Sequence, residues 1–474
     1  MSADTPTHPA QPSECKCEGP LVLIVGAGAA DLFLAILLGH AGIPYQVYER
    51  AKEVKPLGAI MSLNAGVFPA LEQLGLYEDL LKITLHSGSG FKIYNGDLDL
   101  VYSLNANIQH VVGYNHVVFA RPEFYDLLLA QIPRDKIHVN KKLTTMERDK
   151  EGVTIHYADG ASYRGDILIG ADGAYSGVRQ ALYKIMFEKG TLPPSDGVEL
   201  NRGFICMVGT TRPLDPVKYP GVDEEIANCN QIIGKSSNYC WSSFSVPGNR
   251  IYWNVVLQLS TVEESTPNKF KNSEWGGNSS DPMIKEVRDF RIPLGNNTLG
   301  DLIDATPEDN ISKVFMEEKL FDTWNHGRVV LIGDSCHKLP PSAGLGAVTF
   351  MQDSVVLANC LYEMRGDTLE EINAAIHEFK EKGYTRVEAQ YEANKMDARL
   401  IYGQSIIERI LRTVVFNWLP ESVKLKESVK GLDFRPQASF LPQIPAHGTL
   451  PVLPQKVSQR YLDEQGKQKA TVAV

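Results

Sequence analysis

The stretch Leu21–Arg50, LVLIVGAGAADLFLAILLGHAGIPYQVYER, decides the fold. Leu21–Val25 is a short apolar run with the length and Val/Ile content of a buried parallel strand. Gly26-Ala-Gly28 follows at once, and residues 32–38 are almost continuously apolar, as in a buried helix. A second strand, Tyr45–Tyr48, ends in Glu49. This is the βαβ pattern of a dinucleotide site, with its acidic residue about 20 positions past the glycines. Gly26 permits the tight turn, and Gly28 lets the backbone approach a pyrophosphate at a helix N-terminus. Glu49 is placed to accept hydrogen bonds from a ribose. The third glycine of the pattern is replaced by Asp31, which adds bulk and a carboxylate near the expected phosphates. The competing reading of this stretch is a strand–turn–helix with no ligand.

Composition narrows the rest. The 474 residues suffice for two or three domains, and 43% hydrophobic with 22% charged residues is ordinary for a globular chain. A net charge of −10 without a basic stripe argues against nucleic acid. Seven scattered cysteines, with no two pairs at metal-ligand spacing, predict no metal centre and a reducing, cytoplasmic compartment. Residues 1–19 are Pro- and Ser-rich and lack the apolar core of a signal peptide, so they read as a disordered extension.

Further along, FKIYNGDLDLVYSL reads as a hairpin around Asn95-Gly96, and Phe119-Ala-Arg121-Pro-Glu123 opens a helix. Residues 137–169 alternate as a three-stranded meander. That meander runs into GADGAYSGVR, residues 170–179, where a strand ends and a helix starts. Residues 190–325 carry alternating runs of an antiparallel sheet, with helical segments expected near 282–291 and 310–324. Arg328–His337 is again a strand ending in Gly333-Asp334, and Gly344-Leu-Gly346-Ala347 starts another helix. Long amphipathic helices span 370–412. Residues 400–419 are apolar on a helical period. They read first as a helix docked on the body and second as a surface-lying, peripheral membrane helix. The tail FRPQASFLPQIPAHGTLPVLP reads as extended and draped.

Three motifs thus stand in order: GAGAAD with Glu49, GADGAYSGVR, and GDSCH…P…GLGA. Their order and spacing resemble the class A FAD-dependent monooxygenases of the para-hydroxybenzoate hydroxylase fold, and most nearly the fungal ones of secondary metabolism. The resemblance spans about residues 20–455. It implies an α/β fold: a Rossmann-like FAD-binding domain (20–185 and 326–400) with an inserted antiparallel-sheet substrate domain (186–325). A C-terminal helix and Pro-rich tail (401–474) complete the chain.

The resemblance also implies that FAD lies along Gly26, Gly28, Glu49, Gly58, Arg121, Asp172, Arg179, Asp334, Gly344, Gly346 and Ala347. Asp172–Arg179 would also meet NADPH, and no second G-x-G-x-x-G is present. The implied activity is hydroxylation or epoxidation of a small apolar or aromatic metabolite with O2. Tyr239 is the candidate substrate-side group, with packing in the sheet as its other reading; His337 reads as an anchor of the Asp334 turn. Asp31, and the side chains Leu345 and Thr349 where the family carries amides, point to weakened FAD binding. They keep open a non-redox cyclase or binding protein on the same fold. A flavin dehydrogenase or oxidase fits the GADG…VR segment less well.

Overall fold

The computed structural model describes residues 19–53, 60–87, 91–104, 108–235, 238–259, 274–275, 281–340 and 344–472. Its centre is a six-stranded sheet. Strand β1 (Val22–Val25) leads through helix α1 (Ala29–His40) to β2 (Tyr45–Tyr48), which pairs parallel to β1. On the other side of β1 lie β3 (Ile167–Gly170) and then β4 (Val329–Leu331), both parallel. Every residue of β1 is buried, as is each α1 residue from Asp31 to Leu38. A helix apolar on all sides belongs inside a layered core, and α1 packs against the helix Gly346–Glu363. The parallel pairing fixes one consequence: all four strands end at the same sheet edge, where ligands of open α/β sheets bind.

The meander is present as Leu143–Arg148, Val153–Tyr157 and Ser162–Gly165. The hairpin is also present, with Asn95 Oδ1 accepting the backbone N–H groups of Asp97 and Asp99. Its strand Phe91–Asn95 pairs parallel to Cys229–Ile233, so the hairpin extends the second, larger sheet. That sheet is built from Asn201–Thr210, Cys229–Ile233, Tyr239–Val246, Arg250–Gln258 and Ser312–Leu320. Helices occur at Asp281–Val287 and Leu299–Asp304.

One expectation is overturned: 310–324 is not helical. Ser312–Leu320 is a strand, with Val314 opposite Cys206 and Met316 opposite Phe204. The run Glu317-Glu318-Lys319 favours a helix by propensity, but pairing along an existing strand outweighs tenths of a kcal/mol per residue.

Three further helices follow, of which only the last reaches the cores of both halves. These are α2 (Gly177–Glu188), α3 (Gly346–Glu363) and α4 (Leu369–Tyr402); α5 (Ile406–Trp418) follows. The tail is fastened rather than loosely draped. Arg435, 2% exposed, donates to the carbonyls of Leu432 and His447, and Gln73 donates to those of Ala438 and Pro442.

Candidate cofactor site

At the carboxyl edge of the parallel sheet, Gly26 has φ +123°, a conformation that disfavours any side chain. A Cβ there would also stand 2.8 Å from the Ala171 carbonyl oxygen. The chain can therefore turn this tightly only with glycine. Glu49 Oε2 accepts the Ala27 N–H at 3.0 Å, and Oε1 accepts that of Ala51 at 2.8 Å. Each oxygen keeps a lone pair for a ribose hydroxyl.

Asp31 is 4% exposed. Its Oδ2 accepts the Gly28 N–H at 2.8 Å, the reciprocal half of a capping box. The sequence pattern contained this signal, an acidic residue at the third helical position. Burial, chiefly, with the neighbouring Glu49 and Asp172 carboxylates, pushes the Asp31 carboxyl well above its ordinary range; Arg121 and the Gly28 bond act the other way. Asp31 is thereby drawn toward its neutral form, which lessens the repulsion expected between it and a pyrophosphate.

Arg121 is the first residue of the helix Arg121–Leu129, directly after the strand Val117–Ala120. Asp172 caps α2: it accepts from Ser176 Oγ, from the Gly177 N–H at 2.6 Å and from the Val178 N–H. Burial raises its carboxyl as well. Arg179 is buried, with Nη1 on the Ser335 carbonyl (2.8 Å), Nη2 on that of Ala174 (2.6 Å) and its guanidinium 4.2 Å from the Phe321 ring centre. It thus ties the loop after β3 to the turn after β4. In that turn Asp334 is paired with Lys338. Gly333 has φ +58°, and a Cβ would fall 1.7 Å from Phe350 Cδ2.

Helix α3 begins at Gly346 after Leu345, without a side-chain cap. Among the described residues, nothing outside the helix backbone and its chain neighbours lies within 4 Å of where a Gly346 Cβ would be. The first N–H groups of α3, those of Gly346 and Ala347, stand at a positive helix end that no side-chain cap occupies. Gly344 has φ +64° and its carbonyl lies 3.4 Å from Ser62 Oγ. Thr349 is fully buried with its hydroxyl on Gln390, so it is part of the helix interface and does not face the open end. His337 is an anchor: Nε2 is 2.5 Å from Asp353 Oδ2, and Asp353 also receives Arg386 Nη2 at 2.8 Å. Gly58 lies outside the described residues. Among the described residues no group of three metal-ligating side chains comes together.

The glycine turn, the free carboxylate positions of Glu49 and the uncapped α3 terminus fit a dinucleotide whose far end is an electron-poor ring. Tyr239 lies elsewhere. Its hydroxyl donates to Glu286 at 2.5 Å and its ring packs on Phe290, in the core between the large sheet and its helices. The opposite face carries Cys206, Tyr252 and Val256, with Tyr402 of α4 packed on it. Through Phe244 and Cys229 it meets Val118 and Ile60 of the cofactor-binding half. By strand alternation Ser242 and Asn254, cross-strand partners, lie on this second face. Ser242 Oγ and Asn254 Oδ1 are buried with no hydrogen-bond partner among the described residues. Sequence reasoning missed both, because a buried serine and asparagine in a strand carry no motif.

A parallel sheet with this edge and a second sheet beside it suit a flavin-dinucleotide enzyme, and similarity to known proteins gives the class, the FAD-dependent monooxygenases. The FAD-binding-domain family matches residues 21–199 and 294–378, more than half of the chain, and the chain belongs to that family. It is 28% identical over 431 residues to the FAD-dependent monooxygenase ausM of Aspergillus calidoustus, covering 89% of this chain and 88% of that one. It is 28% identical over 414 residues to paxM of Penicillium paxilli, also an FAD-dependent monooxygenase, covering 82% and 80%. Klebsiella pneumoniae HpxO, solved with FAD and uric acid, shares the fold with TM-score 0.69 at 21% identity, covering 88% of this chain and 97% of that one.

Proposed function

We propose that this protein uses FAD and NADPH to insert one oxygen atom of O2 into a small apolar or aromatic metabolite, by hydroxylation or epoxidation. The observation that supports this best is the convergence of four segments at one sheet edge: Gly26–Gly28, Glu49, Asp172–Arg179 and Asp334. The open N-terminus of α3 completes the set. FAD, when bound, supplies the redox chemistry: it takes two electrons from NADPH and hands them to O2, one oxygen atom entering the substrate and the other leaving as water.

The chain's own residues do the positioning. Glu49 takes the ribose and the Gly26–Gly28 backbone takes the pyrophosphate, with Arg121 and Asp334 along the cofactor. The Gly346 and Ala347 N–H groups hold negative charge at the ring end of the cofactor. Arg179 and Asp172 keep the loop between them rigid, and NADPH approaches along that loop. The substrate lies on the Tyr252 face of the large sheet, the one turned toward the cofactor half, where Ser242 and Asn254 supply polar contacts in an apolar, water-excluding wall. Tyr239, on the opposite face, has a packing role. The domain division given by the resemblance belongs to this reading, as does a reducing cytoplasmic location, which the five described free cysteines support.

Purified protein reconstituted with FAD should consume NADPH slowly alone and faster with substrate. Asn254→Leu should raise KM or release peroxide while FAD content stays unchanged. Loss of FAD binding in Glu49→Ala by about 1–3 kcal/mol would support the ribose contact. Protein that takes up no FAD would overturn the reading and favour the non-redox descendant.

A further inference from the structure

Helix α5 is amphipathic in the inverted sense. Its inward face is the polar one. Arg412, 8% exposed, donates to the carbonyls of Leu400, Ile401 and Gly403, and Glu408 accepts the Ser405 N–H at 3.0 Å. Phe416 adds a large apolar contact there, its ring stacked on Tyr102 with centres 5.0 Å apart, with Val415 packed beside it. The outward face is apolar: Ile406, Ile407, Ile410 and Trp418 are each between 61% and 79% exposed, and Val414 is 43% exposed. The spacings 406, 410, 414 and 407, 414, 418 put these side chains on one stripe of the helix. A contiguous outward stripe of this kind marks an interaction surface, whereas single exposed apolar residues do not.

Charge selects the occupant. The whole chain is at −10, yet residues 399–430 contain six Lys or Arg and three Asp or Glu. Lys426 and Arg409 are exposed. Tryptophan at the helix end suits the headgroup level of a bilayer. No described helix is long and apolar enough to cross a membrane. We infer that α5 lies in the plane of an anionic lipid surface, with Ile406, Ile407, Ile410, Val414 and Trp418 inserted among the acyl chains and the neighbouring basic side chains on the headgroups. The inward polar bonds hold the helix to the body while the outward face inserts, so docking requires no unfolding.

The test uses the full chain loaded with FAD and vesicles of phosphatidylcholine alone or with 30% phosphatidylserine. Flotation should recover the protein with the mixed vesicles, less at high salt, and far less with phosphatidylcholine alone. The triple variant Ile407→Ser, Ile410→Ser, Val414→Ser should lower binding at least tenfold with unchanged melting temperature and FAD content. Lys426→Glu with Lys430→Glu should lower it several-fold and flatten the salt dependence. Wild-type protein that ignores both vesicle types overturns the inference. If light scattering then shows a dimer that the serine variant dissolves, the face belongs to a second copy of this chain.

Discussion

Asp31 stands where the dinucleotide pattern has glycine, and its sequence context suggested a carboxylate opposing the pyrophosphate. Its environment reverses that argument. The carboxyl group is buried beside Glu49 and Asp172 and is pushed toward the neutral form, while it holds the Gly28 N–H. A carboxyl whose folded pKa is raised contributes stability that is fully present below the unfolded value near 4 and is lost as pH rises through the folded value. Asp31→Asn keeps an acceptor for Gly28 and removes the ionisation. Its melting temperature should match the natural protein near pH 4 and exceed it as pH rises above the unfolded carboxyl value, and FAD affinity should follow the same trend. A difference independent of pH would mean that Asp31 ionises freely in the fold. Asp31→Gly leaves the Gly28 N–H to the ligand but gives up the cap, so it should gain less than the asparagine variant. Gly333 offers a sharper case. With φ +58° and Phe350 in the way, Gly333→Ala should destabilise by several kcal/mol, beyond the roughly 1 kcal/mol of a simple positive-φ penalty, in urea unfolding.

Helix α3 shows how much of the site's support lies outside any local pattern. Its start was legible, because Gly344-Leu-Gly346 after an apolar strand has few other meanings. Its fastening was not: Asp353, fully buried, takes His337 from the β4 turn and Arg386 from the middle of α4, residues 16 and 33 positions away. Removing one partner of a buried ionic group leaves the other charge unpaired, at a cost of about 3–5 kcal/mol. Arg386→Met should therefore cost about 3 kcal/mol in urea unfolding and lower FAD retention by loosening the first turn of α3. Asp353→Asn, which keeps hydrogen bonding to both partners, should cost less. The βαβ unit was readable almost to the residue, since strand, turn, helix and strand all lie within 30 positions and each has its own local signal. Ser312–Leu320 was misread for the opposite reason: its strand state depends on Asn201–Thr210, more than 100 residues earlier. Ser242 and Asn254 were invisible because their unpartnered polar atoms become a feature only once the strands of the large sheet pair and bury them.

The molecule is held together by one long element and a few polar ties between its sheets. Helix α4 has 34 residues and runs about 50 Å. Its stretch up to Val387 contributes Ile372, Ile376, Phe379 and Val387 to the core of the parallel sheet, and its last turns contribute Ala398 and Tyr402 to the core on the large sheet. Two ties act in parallel: Arg250 Nη2 lies 2.6 Å from Glu123, and Glu317 receives both Arg202 and Tyr175, the latter from the Asp172 loop. The partly exposed Arg250–Glu123 pair contributes about 1 kcal/mol or less. The buried Arg202–Glu317 pair joins neighbouring strands of the large sheet, leaving the Tyr175 hydrogen bond as the crossing there, so the helix is the dominant coupling. Glu388, exposed and one turn past Gly383, lies between the two cores. Proline there removes a backbone bond and clashes with the preceding turn, at about 3 kcal/mol or more. Glu388→Pro should thus divide a single calorimetric unfolding peak into two. Trp324, packed on Phe379 in the first core, reports one transition, and Trp253, buried on the far face of the large sheet, reports the other. One undivided peak, merely shifted to lower temperature, would assign the coupling to the Arg250 and Glu317 ties instead. Substrate oxidation should suffer more than FAD binding in this variant, because FAD is held by one sheet edge whereas oxygen transfer requires both sheets in register.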